Sequence, residues 1–169
     1  ILVAGASGDI GRVLSREFVR AGACVALVSR TESNLQALQK ELGRMSSRAL
    51  PGDVSNPEVA PVLLEAARKC FGRLDAVVIS VGTWDRLGAE ESLTRAVELM
   101  DRHYETIMRP VFVLAYAAQQ FFGGQSARGE GLIANIGSHT AIRTHLPNNL
   151  SYGPAKAGSH HFLLALRDE

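Results

Sequence analysis

The chain has 169 residues, enough for one domain with a substantial core. With 46% hydrophobic and 21% charged residues it has the make-up of an ordinary globular protein, and its formal net charge of +1 gives no basis for a nucleic-acid or anionic-membrane partner. Its apolar stretches are too short, or too broken by charge, to cross a bilayer, and its first apolar run reads as a strand rather than a secretory leader. Cys24 and Cys70 lack metal-ligand spacing and read as reduced core residues, which points to the cytoplasm. The chain opens inside a strand and stops at Arg167-Asp168-Glu169 without a helix terminator. It therefore reads as a single domain over 1–169, incomplete at both ends.

In chain order, Ile1, Leu2 and Val3 have the apolar continuity of a buried parallel strand. A glycine-rich turn, Ala4-Gly5-Ala6-Ser7-Gly8-Asp9-Ile10-Gly11, leads into an amphipathic helix through Arg20, with Val13, Leu14, Phe18 and Val19 inward and Gly22 as its stop. Strand, glycine turn and helix in that order form a phosphate-binding device. The glycines admit close backbone approach, and the helix start offers free N–H groups and a positive dipole end. Gly5, Ser7, Gly8, Ile10 and Gly11 are thus the expected contacts of a dinucleotide pyrophosphate. A second strand is expected over 23–29, a helix from Thr31 to Leu42, a third strand over 48–50, and a helix from Pro57 to Phe71 stopped by Gly72. A fourth strand follows over 74–80, then a long helix over 93–122 with Pro110 in its middle. A fifth strand over 131–136 and a last helix from Tyr152 complete the series. Regular β/α alternation specifies right-handed crossovers and a parallel sheet covered on both faces. A doubly wound sheet of Rossmann type with strand order 3-2-1-4-5 is the expected fold.

Arg30 stands just past the second strand, where an adenosine ribose would arrive, and Arg suits a 2′-phosphate where an acidic residue would suit a free hydroxyl. The alternative is a solvated arginine at a helix start. Asp53, followed by Val54, either meets the adenine edge or caps the helix that begins near Pro57. Ser138 lies just past the fifth strand, and Tyr152 and Lys156, four apart, share one face of the last helix. A phenol beside an ammonium has its ionised form favoured, which suits a general acid/base in alcohol–ketone interconversion, with a serine hydroxyl on the substrate oxygen. His139 and His145 flank this site as pocket or surface residues. His160 and His161 read as packing or solvent-facing, and Trp84, Phe112, Phe121 and Phe122 as core or interface.

From its first strand to its last helix the chain resembles the short-chain dehydrogenase/reductase family. The resemblance is carried by the Gly5…Gly11 turn, Asp53-Val54, Asn135-Ile136-Gly137-Ser138 and Tyr152-Gly153-Pro154-Ala155-Lys156. It implies that Tyr152 is the acid/base, that Lys156 lowers its pKa and holds the nicotinamide ribose, and that Ser138 orients the carbonyl. It also implies pairing through the long and last helices, hence a homo-oligomer, dimer or tetramer.

Several positions depart from the family pattern. The spacing Gly5-x-x-Gly8-x-x-Gly11 is that of the extended, nucleotide-sugar-modifying branch and sets Asp9 where the compact branch has a glycine. The separation of 14 positions between Ser138 and Tyr152 is that of the compact branch, which is the assignment adopted. Ile79-Ser80-Val81-Gly82 replaces Asn-Asn-Ala-Gly, with Gly82 keeping the close approach and Ser80 standing in for an amide. Ile107 occupies the place of the family's relay Asn, and Pro110 predicts a kink beside it. The expected function is NADP(H)-dependent, rather than NAD(H)-dependent, interconversion of a small-molecule carbonyl and a secondary alcohol. The alternatives are a silent dinucleotide-binding protein and an extended-branch epimerase or dehydratase.

Overall fold

A computed structural model describes residues 1–125, 131–143 and 147–168. Five short strands, β1 (Leu2–Ala4), β2 (Val25–Ser29), β3 (Ser47–Pro51), β4 (Ala76–Ile79) and β5 (Leu132–Asn135), form one sheet in the order β3-β2-β1-β4-β5. Every pairing is parallel, as expected from the alternation. The helices are α1 (Asp9–Arg20), α2 (Glu32–Leu42), α3 (Val59–Phe71), α4 (Leu93–His103), α5 (Arg109–Gln125) and α6 (Tyr152–Arg167).

The central strand shows why both faces are covered. Leu2 and Ala4 point to one side and Val3 to the other, and each is fully buried. On the first side they meet Leu63 and Leu64 of α3 and Val111 and Leu114 of α5. On the second, Val3, Val25 and Leu27 meet Leu35 and Leu38 of α2 and the half-buried Leu14 and Phe18 of α1. Phe162, Leu163 and Leu166 of α6 are half-buried against the first of these cores.

Val13 departs from the expected inward face: it is 53% exposed. The buried residues of α1 are Gly11 and Ser15, four apart, with the Ser15 hydroxyl donating to the Gly11 carbonyl at 2.8 Å. A helix that meets the sheet through such small residues lies close to it and turns Val13 outward. Cys24 and Cys70, expected in the core, are exposed.

The long helix is interrupted just before Pro110. Between α4 and α5 the chain makes one π turn over Tyr104–Met108, closed by the Arg109 N–H donating to the Tyr104 carbonyl. Pro110 has no N–H to continue this ladder, so the carbonyls of Glu105 and Thr106 lose the donors that a regular helix would give them. The widened turn absorbs the proline and sets Ile107, which is fully buried, beneath Gly82.

Candidate active site

The strand order places the site. The chain steps outward from β1 to β3 and returns to the other side of β1 with β4, leaving a crevice at the C-terminal ends of β1 and β4. Gly5 ends β1 at φ +80°, and a Cβ there would stand 2.2 Å from the Ser80 carbonyl oxygen. A Cβ on Gly11 would stand 2.1 Å from the Gly5 carbonyl oxygen. Gly8 is different: its φ is −78° and its nearest backbone atom would lie at 3.3 Å. Gly5 and Gly11 are required by packing, whereas Gly8 leaves bare backbone at the start of α1. The first N–H groups of that helix have no intrahelical acceptor. Asp9 is exposed at the same helix start.

A groove runs along the strand ends in two continuous parts that share Gly8 and residues 80–83. The first, about 230 Å³, is bounded by Ser7, Arg30, Asp53 and Thr106. Here the Ser29 hydroxyl is buried with no hydrogen-bond partner, next to the exposed Arg30. Asp53 Oδ1 accepts from the Ser55 N–H at 2.9 Å and the Ser55 hydroxyl at 2.7 Å. Burial pushes the Asp53 carboxyl up, but those two bonds, with Arg30 and Arg109 nearby, hold it below the usual carboxylate range. Asp53 therefore caps the turn after β3 and not α3, whose N-cap is Glu58. Val54 lines the groove with its side chain packed into the core.

The second part, about 250 Å³, is bounded by Ile10, Trp84, Tyr152 and Lys156. Lys156 is buried. Its Nζ donates to the Ile136 carbonyl at 3.0 Å and lies 6.0 Å from the centroid of the Tyr152 ring. It also lies 3.7 Å from where a Cβ on Gly82 would be, so it sits between the loop after β4 and the phenol. Burial pulls its pKa below the usual lysine value. Ser138 is not among the lining residues. Its Oγ accepts from the Thr140 N–H at 3.3 Å and the Thr140 hydroxyl at 2.9 Å, capping a single 3₁₀ turn over His139–Ala141.

Gly11 likewise lies behind the groove rather than in its wall. Trp84, expected as core or interface, is 61% exposed at the groove, its indole N–H donating to Asn149 Oδ1 at 3.4 Å. His139, His160 and His161 are exposed, and His145 lies outside the described residues.

Two polar contacts escaped the sequence reading. The Thr106 hydroxyl donates to the Arg102 carbonyl at 2.7 Å, so Thr83 is the donor in the 3.1 Å contact between the two threonine hydroxyls. That pair ties the loop after β4 to the π turn, where Ile107 offers no hydrogen bond. The other is the buried His103, bonded to Ser151 from 48 positions away. No local pattern announces a pair so distant in sequence.

The family model described as short chain dehydrogenase matches residues 1–169. A short chain dehydrogenase/reductase of Macrophomina phaseolina is 30% identical over 158 residues, covering 92% of this chain and 89% of that protein. An 11-beta-hydroxysteroid dehydrogenase-like protein of Arabidopsis thaliana is 27% identical across all of this chain, which spans about half (53%) of that protein's length. The solved 3-ketoacyl-(acyl-carrier-protein) reductase from Brucella melitensis, complexed with NADH, is 25% identical with a TM-score of 0.84, covering 98% of this chain and 67% of that one.

Proposed function

Because the chain belongs to the short chain dehydrogenase/reductase family of oxidoreductases, we propose that it moves a hydride between NADP(H) and a small carbonyl or secondary-alcohol substrate, with Tyr152 as acid/base. The observation that carries this reading is the buried Lys156 ammonium set between Gly82 and Tyr152, in a groove continuous with the glycine turn.

The residues fit a dinucleotide. Gly8 leaves bare backbone in the wall of both parts of the groove, α1 begins there with its unpaired N–H groups, and the Ser29 hydroxyl has no partner beside Arg30. A bound nicotinamide supplies or accepts the hydride. The chain contributes position and a proton. In reduction, the Tyr152 hydroxyl gives its proton to the substrate oxygen as negative charge develops there, and the Lys156 ammonium stabilises the phenolate left behind. Thr140 already fills the acceptor positions of Ser138 Oγ, so Ser138 meets the same oxygen as a donor, the polarity a carbonyl needs. The Glu105 carbonyl, which Arg109 leaves for Tyr104 and Pro110 cannot reach, belongs to a residue lining the groove and offers an acceptor for a water that returns a proton to Lys156. The test is oxidation of NADPH and of NADH by the full-length protein with a panel of aldehydes and ketones. Dinucleotide binding without turnover on any of them would leave the silent-protein reading standing.

Cofactor choice rests on Arg30, which has no ion-pair partner among the described residues. A guanidinium–phosphate contact is worth about 1.5–3 kcal/mol, or about one to two decades in affinity. The protein is expected to bind NADPH more tightly than NADH by that margin, and Arg30→Asp to reverse the order. Equal affinities in the parent would reduce Arg30 to a surface charge.

The silent-protein alternative draws on Ile107, whose side chain carries no proton. Since the π turn leaves the Glu105 carbonyl for that water without it, Ile107→Asn is expected to leave turnover within about twofold while costing about 2 kcal/mol of stability, the result of burying an amide in an apolar slot. A several-fold rise in turnover would show instead that the relay is broken in this chain.

A further inference from the structure

We propose that His103 is a positioning residue for Tyr152: as its Nδ1–H tautomer it holds Ser151, the residue that opens α6, and so fixes the phenol beside Lys156. The proposal rests on the reading of Tyr152 as the acid/base. His103 ends α4 and is fully buried. Its Nε2 lies 3.2 Å from the Asp85 backbone nitrogen, whose N–H can only donate, so Nε2 carries no proton. The ring proton is then on Nδ1, which donates to Ser151 Oγ at 2.8 Å.

Ser151 is the N-cap of α6, yet its hydroxyl makes no bond to that helix's own N–H groups, the usual work of an N-cap serine. It is turned to His103 instead. The same ring packs on the Tyr152 ring in a T-shaped pair, with centroids 5.7 Å apart and planes 72° apart. An imidazole that merely filled space between α4 and α6 would need none of these bonds, and an apolar side chain would fill it at lower desolvation cost.

The titratable and charged groups around His103 are Asp85 in the loop after β4, Arg102 on α4 and Tyr152 on α6. Burial pulls the His103 pKa below 6.5 and Arg102 adds to this, while the Asp85 carboxylate opposes it. Asp85 is itself paired with Arg102 at 3.3 Å. Protonation would set an Nε2–H against the Asp85 N–H, so the tautomer is locked by the backbone.

The experiment uses the full-length protein. Without cofactor, ¹⁵N-histidine NMR is expected to show His103 as the Nδ1–H tautomer with a bare Nε2 through the pH range where ordinary histidines charge. An Nε2–H tautomer would overturn the proposal. With cofactor and substrate, Ser151→Ala is expected to lower kcat about tenfold, the scale of a small misplacement of a catalytic group, with dinucleotide Kd unchanged. Ser151→Thr, which restores the hydroxyl, is expected to recover most of the loss, and His103→Gln combined with Ser151→Ala to be no worse than His103→Gln alone. If His103→Gln does not fold, Ser151→Ala and Ser151→Thr carry the test. Ser151→Ala with kcat within about twofold of the parent would overturn the proposal. Tyr152→Phe separates the two failures: full activity there removes the acid/base reading itself, whereas a dead Tyr152→Phe with a parent-like Ser151→Ala removes only the role of His103.

Discussion

Tyr152→Phe in the full-length protein is expected to lower turnover by about 10²–10⁴-fold while leaving dinucleotide Kd within about twofold. Removing the phenol oxygen deletes the proton that neutralises charge on the substrate oxygen, a loss felt in the transition state and hardly at all in cofactor binding. The ring is retained, so its packing against the His103 ring survives and the fold has no reason to change. Single-turnover kinetics under saturating cofactor give the cleanest measure, because they separate hydride transfer from product release. The Lys156 ammonium stays buried beside Gly82 in this variant with its bond to the Ile136 carbonyl. Water delivered near it then sets the residual rate. A variant with parental turnover would remove the acid/base role, and the silent dinucleotide-binding reading would become the better one.

What was legible in the sequence is what period and punctuation encode. Apolar runs such as Val25–Ser29 and Ala76–Ile79, alternating with helices, were enough to place five parallel strands, while their order 3-2-1-4-5 followed from the Rossmann-type fold expected and not from the runs themselves. The glycine turn and the Tyr152–Lys156 pair were legible because function there demands particular residue types at fixed spacing. Three features were not legible, each for a physical reason. The part of α1 seated closest on the sheet is Gly11 and Ser15, which hydropathy scores as blank, so beside Leu14, Phe18 and Val19 the pattern also draws in the exposed Val13. Pro110 signals a broken ladder but not its form, which is a π turn with Ile107 packed against Gly82. Cysteine is on average a buried residue type, yet Cys24 precedes the buried run of β2 and Cys70 sits on the outer face of α3, so both are exposed.

Gly11→Ala is expected to destabilise the fold by about 1–3 kcal/mol, even though alanine is preferred to glycine in a helix by about 1 kcal/mol. The two effects oppose each other, and distance decides between them. The new methyl would stand 2.1 Å from the Gly5 carbonyl oxygen, 2.8 Å from its carbon and 2.9 Å from the Ala6 Cα, all backbone atoms that no rotamer change can move. Relief requires α1 to retreat from β1, which opens the core around Leu14 and Phe18 and swings the helix's first N–H groups away from the groove. For a domain of this size the stability loss corresponds to a Tm lower by about 2–12 °C. Dinucleotide Kd is expected to rise at least about tenfold, because the phosphate cradle is the part displaced. Gly8→Ala is the control. Its φ of −78° is open to any residue and its methyl would meet the Gly5 carbonyl oxygen at 3.3 Å, so Tm is expected to stay within about 2 °C. Should Gly11→Ala melt and bind like the parent, the close seat of α1 on β1 would not be what holds the glycine turn in shape, and its phosphate-binding geometry would need another support.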